Sequence, residues 1–274
     1  MLASAAVAAL ALAAAPQLEG SVAAGAGYDA NLSHDPSHSM AAGGGYAAAT
    51  GAVGASLDLG DATNLYGGLR LDGELYPMYS DLSTGSVGVE AALLQEISGS
   101  VALVLAPLVG WSWSGDPARD ATLLAARLTL RWRLAEVLAL RASYRYAHNA
   151  ASDPAFSYDR NALGASAEWR AASRTYLSLG YVFEVGQDVF YRDVTGGGGG
   201  MGGMGGMGGH GMNTFGRPQE AYSAQATSSS IPVSLEVGLG GDVYLEAKYA
   251  WRLVLSSAGD YQDQSFYAGL GWRY

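Results

Sequence analysis

The sequence predicts an all-β chain folded as a single closed antiparallel transmembrane β-barrel of about twelve strands. Three observations carry this expectation. Apolar and polar residues alternate with period two along almost the whole chain after the first fifteen residues. The links between the alternating segments are short and long in turn. The end of the chain puts Phe266, Ala268, Leu270, Trp272 and Tyr274 on one strand face, and Tyr267, Gly269, Gly271 and Arg273 on the other.

Residues 1–15 are almost wholly Ala, Leu and Val and carry no charge. They are too few for a membrane-spanning helix, which needs about 20 apolar residues. Ala13, Ala14 and Ala15 are the small residues that precede a signal-peptidase cut. Residues 1–15 are therefore expected to be a removed signal peptide, and 16–274 the barrel. Candidate strands follow at 19–29, 45–59, 63–76, 82–96, 99–112, 121–134, 136–148, 157–170, 174–192, 219–239, 242–256 and 261–274. An even count is the rule for single-chain barrels. The first two segments are faint, so ten or fourteen strands stay open.

The links after even strands are tight: Gly60-Asp61, Ser98-Gly99, Leu134-Ala135, Ala171 to Ser173, and Gly240-Gly241. Those after odd strands are mostly longer and more polar, at 30–44, 77–81, 113–120, 149–156, 193–218 and 257–260. A soluble sandwich has no reason to sort its links this way. A transmembrane barrel does, with short turns on one side of the membrane and long loops on the other. Both termini then lie on the side of the short turns.

The faces follow from the cost of charge in lipid. In 121–134, Leu124, Ala126, Leu128, Leu130, Trp132 and Leu134 alternate with Arg127, Thr129, Arg131 and Arg133. An Arg facing lipid at mid-membrane costs about 2–4 kcal/mol, so the arginines face the lumen. The same rule turns Arg141 and Arg145 inward in 136–148, and Glu246, Lys248 and Arg252 inward in 242–256. Trp132, Trp169, Tyr249, Trp251, Trp272 and Tyr274 are the outward aromatics that suit an interfacial girdle.

The inward charges are the candidate solute path: Arg70, Glu90, Arg127, Arg131, Arg133, Arg141, Arg145, Arg170, Glu184, Glu236, Glu246, Lys248 and Arg252. Asp72, Glu74 and Glu90 fall beside Arg70, and Glu184, Glu236 and Glu246 form a further acidic group. Two readings compete. Paired charges can brace a closed interior, because desolvated charges need partners. Alternatively, an Arg wall faces acidic groups across a water-filled path and admits polar or anionic solutes. Twelve strands lie between filled eight-stranded barrels and open sixteen-stranded ones.

The link 193–218 is Gly-rich, with Met201, Met204, Met207, His210 and Met212 spaced by glycines. Glycine at nearly every position between the Met residues makes a fixed shape entropically costly, so 196–212 is expected to lack stable structure. Thioether and imidazole groups suit Cu(I), but a surface loop explains the segment without a metal. The histidines are His34, His38, His148 and His210. His34 with Asp35, or His38 with Ser37 or Ser39, can be drawn as a nucleophile–base pair. No GxSxG, HExxH or phosphate-cradling motif accompanies them, so no catalytic residue, metal or cofactor is expected.

Composition agrees. There is no Cys and a single Lys, and the net charge of −10 argues against nucleic-acid binding. The mean hydropathy of +0.10 suits a barrel in which only alternate residues meet lipid.

On Phe266, Leu270, Trp272 and Tyr274, and on the alternation before them, the chain resembles bacterial outer-membrane β-barrels of the porin-like, narrow-channel type. The resemblance implies an outer-membrane location, periplasmic turns, and recognition of the terminal aromatic pattern by the barrel-assembly machinery. It implies lipid and a small polar solute as partners, and a passive channel as function. A structural or adhesive barrel with a closed lumen is the alternative. An outer-membrane hydrolase is a third reading. No motif ties the chain to one family, so no binding residue is carried over.

Overall fold

The computed structural model describes residues 15–34, 41–193, 210–212, 214–215 and 218–274. The expected leader, apart from Ala15, lies outside the described residues, as do His38 and 196–209 with Met201, Met204 and Met207. In chain order the strands are β1 (Gln17–Asp29), β2 (Gly44–Gly60), β3 (Thr63–Leu75), β4 (Thr84–Ser98), β5 (Val101–Ser114), β6 (Ala121–Ala135) and β7 (Leu138–Ala151). They continue as β8 (Tyr158–Ala172), β9 (Thr175–Asp193), β10 (His210–Met212), β11 (Gln219–Gly240), β12 (Val243–Ser256) and β13 (Tyr261–Arg273). Twelve of them form a closed antiparallel ring, in which β9 pairs with β11 and β13 returns to β1. The three-residue β10 stands outside the ring on the edge of β11.

The tight turns fall one or two residues later than expected, at 61–62, 99–100, 136–137, 173–174 and 241–242. The cause is the same at each. The outgoing strand carries a register shift just before its end, at Asp58/Gly60, Glu96/Ser98, Arg133/Ala135, Arg170/Ala172 and Gly238/Gly240. A bulge adds one residue to that strand and sharpens its twist, which carries the chain further before it reverses. Gly60 and Gly240 adopt φ of 147° and 125°, which side chains disfavour. Neighbouring turns are tied by N–H donation from Glu96 to the Ala62 carbonyl (2.7 Å), from Arg133 to Ser100 (2.7 Å) and from Arg170 to Val137 (2.8 Å).

The alternation sets the faces as the lipid penalty requires. Leu124, Leu128, Leu130, Trp132 and Leu134 of β6 all lie exposed on the outer surface, while Arg127, Arg131 and Arg133 project from the opposite face. Trp132, Trp169 and Trp272 mark the end with tight turns, and Trp111 and Trp113 the end with long loops. Placing Arg at Leu128, halfway along β6, is expected to lower the stability of the refolded barrel in lipid by about 2–4 kcal/mol. The same change at inward Thr129 is expected to cost far less. Equal losses in a denaturant titration would refute the assignment of faces.

The ring closes at β1–β13, paired from Ser21↔Arg273 to Asp29↔Ser265. Gly20 donates its N–H to the Tyr274 carbonyl (3.3 Å), and Tyr274 donates to that of Gly20 (3.0 Å). The Tyr274 ring lies over Gly20, where a Cβ would collide with it. Trp272 packs beside it at 5.0 Å between ring centroids.

Two strands outrun the ring. Beyond Arg160↔Gly186, β9 has no partner on β8; beyond Ala226↔Ser256, β11 has none on β12. The two arms, 187–193 and 219–225, pair with each other. Seven extended residues span about 23 Å. Residues 210–212, expected inside a structureless stretch, instead pair with Gln219 to Ala221 as β10. That stretch of β11 projects past β12, and its free edge groups find partners in β10.

Candidate functional site: the lumen and its mouth

The projecting hairpin of β9 and β11 lies over the mouth, as its contacts around the rim show. Tyr191 accepts a hydrogen bond from Arg119 in the β5–β6 loop (2.6 Å) and shares a buried cluster with Ala155 and Phe156 of the β7–β8 loop. Those two loops are built alike: Asp116 caps Ala118 N–H (3.1 Å) and Asp153 caps Ala155 N–H (2.8 Å), each ahead of a proline. Beside the hairpin, Phe215 packs on Tyr79 of the β3–β4 loop at 5.2 Å, and Thr214 donates to Asp81 there (3.2 Å). The β3–β4 loop lies across the ring from β9, so these contacts bridge the opening. On the other face, Phe190 meets Tyr261 at 5.9 Å. His34, from the β1–β2 loop, donates Nδ1–H to the Val189 carbonyl (2.8 Å) and stacks on Tyr261 at 4.9 Å. Desolvation there outweighs nearby Asp188 and holds the imidazole below the ordinary histidine range. We call this hairpin the strap.

At the root of the strap, Asp188 is 2% exposed. It accepts hydrogen bonds from Arg160 (2.7 Å), Arg252 (3.0 Å) and Tyr261 (2.9 Å). Glu184, two inward positions below, meets Arg145 at 2.9 Å, Arg252 at 3.5 Å and Arg160 at 3.7 Å. Buried carboxylates survive only with such partners. A cavity of about 450 Å³ opens beneath, lined by Arg127, Arg145, Arg160 and Arg252, with hydroxyls from Ser143 and Ser228.

Further down, Arg131 and Arg141 face each other across β6–β7 and share Glu168, at 3.8 and 2.7 Å. Arg133 donates to the Gly99 carbonyl (2.8 Å). Arg131, Arg133, Glu168 and Arg170 line a cavity of about 270 Å³ near the tight turns. Inward along β6, β7 and β8 therefore stand seven arginines (127, 131, 133, 141, 145, 160, 170) and one acid, Glu168. Arg127 makes no ion pair among the described residues.

The opposite arc has another character. Arg70 pairs with Asp72 (2.7 Å), Lys248 with Glu246 (2.9 Å) and Arg273 with Glu236 (2.6 Å). Tyr66 stands beside Glu90. Tyr46, Tyr66, Tyr244 and Tyr267 lie flat against the wall over Gly27, Gly54, Gly271 and Gly25, positions at which a Cβ would strike the ring. A third cavity, of about 460 Å³, lies along this arc beside Arg70, Glu246 and Lys248.

Every residue expected on the solute path thus faces the lumen, but the grouping differs. Glu184 joins the arginine wall rather than an acidic group with Glu236 and Glu246, each of which has its own cation. Arg160, Glu168 and Asp188 were missed, although extending the alternation from Arg170 and Glu184 reaches all three. His34 offered no such signal. It bonds a backbone carbonyl, while Ser33 donates to Asn31 (3.2 Å). His148 lies on the outer face, paired with Asp159 at 2.8 Å.

An outer-membrane channel from Pseudomonas putida F1 has the same architecture, with a TM-score of 0.64 over 94% of this chain and 95% of that one, at 10% identity. The NanC porin superposes with a TM-score of 0.51 over 92% of this chain and 98% of its own, at 12% identity. No protein-family model and no curated protein matches the sequence. At such identities the likeness is one of fold: the chain is a closed twelve-stranded antiparallel β-barrel of the architecture seen in those outer-membrane channels.

Proposed function

We propose that the protein is a passive outer-membrane channel for small polar solutes, with a preference for anions. The supporting observation is the division of charge across the lumen. The seven inward arginines of β6 to β8, with Arg252 beside them, meet three acids, Glu168, Glu184 and Asp188, so that wall carries more cations than its acids can pair. Arg stays charged at any relevant pH, so water, counter-ions or solute must offset the excess. Such a wall concentrates anions along a water-filled path, and salt screens the effect.

Planar-bilayer recording of the purified barrel tests this. Discrete conductance steps are expected, with a reversal potential indicating anion preference that weakens as salt rises. A second reading, a structural or adhesive barrel, draws on the strap across the mouth. A barrel shortened by removal of 188–224 with a short Gly-Ser turn in their place separates the two. If the shortened barrel folds but gives no conductance, the channel reading fails.

A further inference from the structure

We propose that the cavity beneath the strap is a binding site for small multivalent anions, and that its occupancy releases the strap from the mouth. The inference rests on the channel reading and adds the regulation of its opening. Two features meet at one place. The strap is held at its root by Asp188, between Arg160 and Arg252. The same two arginines line the cavity directly below, with Arg127 and Arg145.

The charge count there is uneven. Four guanidinium groups (127, 145, 160, 252) surround two carboxylates, Glu184 and Asp188. Arg127 has no ionic partner among the described residues. An anion entering the cavity meets Arg127 first, with the hydroxyls of Ser143 and Ser228 beside it. A second carboxylate on the same molecule reaches toward Arg145 and Arg252, which now hold Glu184 and Asp188. Guanidinium groups bind carboxylates through paired N–H donors, so an incoming carboxylate competes with Asp188 on equal chemical footing. Loss of Arg252 from Asp188 leaves a buried carboxylate short of a partner, and the strap root is the element that can carry it to water. A monovalent anion can satisfy Arg127 alone, so divalent anions are the expected openers.

The chain has no cysteine, so the strap can be reported by one engineered pair. Ser223 on the strap donates its hydroxyl to the Ser157 carbonyl of the β7–β8 loop at 3.3 Å. In the S157C/S223C double variant, the rate of disulfide formation measures how often the strap is seated. Succinate is expected to slow that rate at least threefold, while acetate at equal ionic strength leaves it unchanged. Adding Arg127→Gln is expected to abolish the succinate effect. With the disulfide formed, conductance should fall, and dithiothreitol should restore it. An unchanged rate in succinate, or equal slowing by acetate or in the Arg127→Gln background, overturns the anion site. Full conductance with the disulfide in place overturns the strap as a gate. The cross-linking rate is read without any current, so a failure here is distinct from a failure of the shortened barrel to conduct.

Discussion

Replacing Arg131 and Arg141 together with Glu is expected to turn the barrel from anion-selective to cation-selective. The two residues face each other on β6 and β7 and share Glu168 as their only acidic partner among the described residues. The double change takes the pair from two positive charges to two negative ones beside Glu168, on the wall that carries the excess of cations. Arg133 and Arg170 remain nearby, so the reversal concerns the sign of the local field rather than all charge there. The measurement is the reversal potential under a tenfold KCl gradient. The corresponding Gln pair should give an intermediate value, and His148→Gln, on the outer face, little change. Raising both compartments toward 1 M, where the screening length is about 3 Å, should shrink every difference. A reversal potential unmoved by the Glu pair would mean that ions do not pass along this wall.

Gly25→Val is expected to prevent the ring from closing. Gly25 sits opposite Gly269 on β1–β13. A Cβ there would fall within contact distance of the Ala268 carbonyl oxygen and of the Gly269 Cα. Both are backbone atoms in a paired strand, so relief requires the seam to spread. The Tyr267 ring lies over the same position and would also be displaced. Overpacking in a fixed frame costs about 1–3 kcal/mol, and at a closure seam the loss falls on the whole ring. The compact, heat-modifiable band of the folded barrel on cold SDS gels should vanish or melt at much lower temperature. Gly67→Ala is the matched control, since a Cβ at Gly67 meets nothing within 4 Å. A Gly25→Val barrel as stable as the Gly67→Ala barrel would show that the seam is looser than its register implies.

The ring was legible in the sequence because lipid makes one side of every strand obey a single rule. Arg127, Arg131 and Arg133 could point only one way once Leu128 and Leu130 were given to lipid. That rule sets facing and says little about height along the barrel, so it could not place Glu184 beside Arg145 rather than beside Glu246. The cross-strand registers at Ala162↔Glu184 and Arg145↔Ala162 decide that partnership. The strap was hidden for a different reason. Residues 187–193 and 219–225 alternate like the strands that they extend, and nothing in alternation says where a hairpin leaves the ring. Its anchors, Tyr191 near the end of β9 and Phe215 and His34 in loops, are single side chains held by tertiary contacts between segments far apart in sequence. The tight turns were displaced because bulges are a backbone feature, and only glycines such as Gly60 and Gly240 hint at them.

The division of charge across the lumen bears on solutes whose own charges cancel. A zwitterion has no net charge to be drawn in by either wall. In a water-filled path between the arginines on β6 to β8 and Glu74 and Glu90 on the opposite arc, however, its two ends would be pulled to opposite sides. It would travel broadside, with its long axis across the passage, and its transit would depend on the distance between its charged ends. Two neutral dipoles of equal mass, one short and one long, would then cross at different rates. If the channel reading holds, such a barrel would sort by molecular dipole as well as by valence.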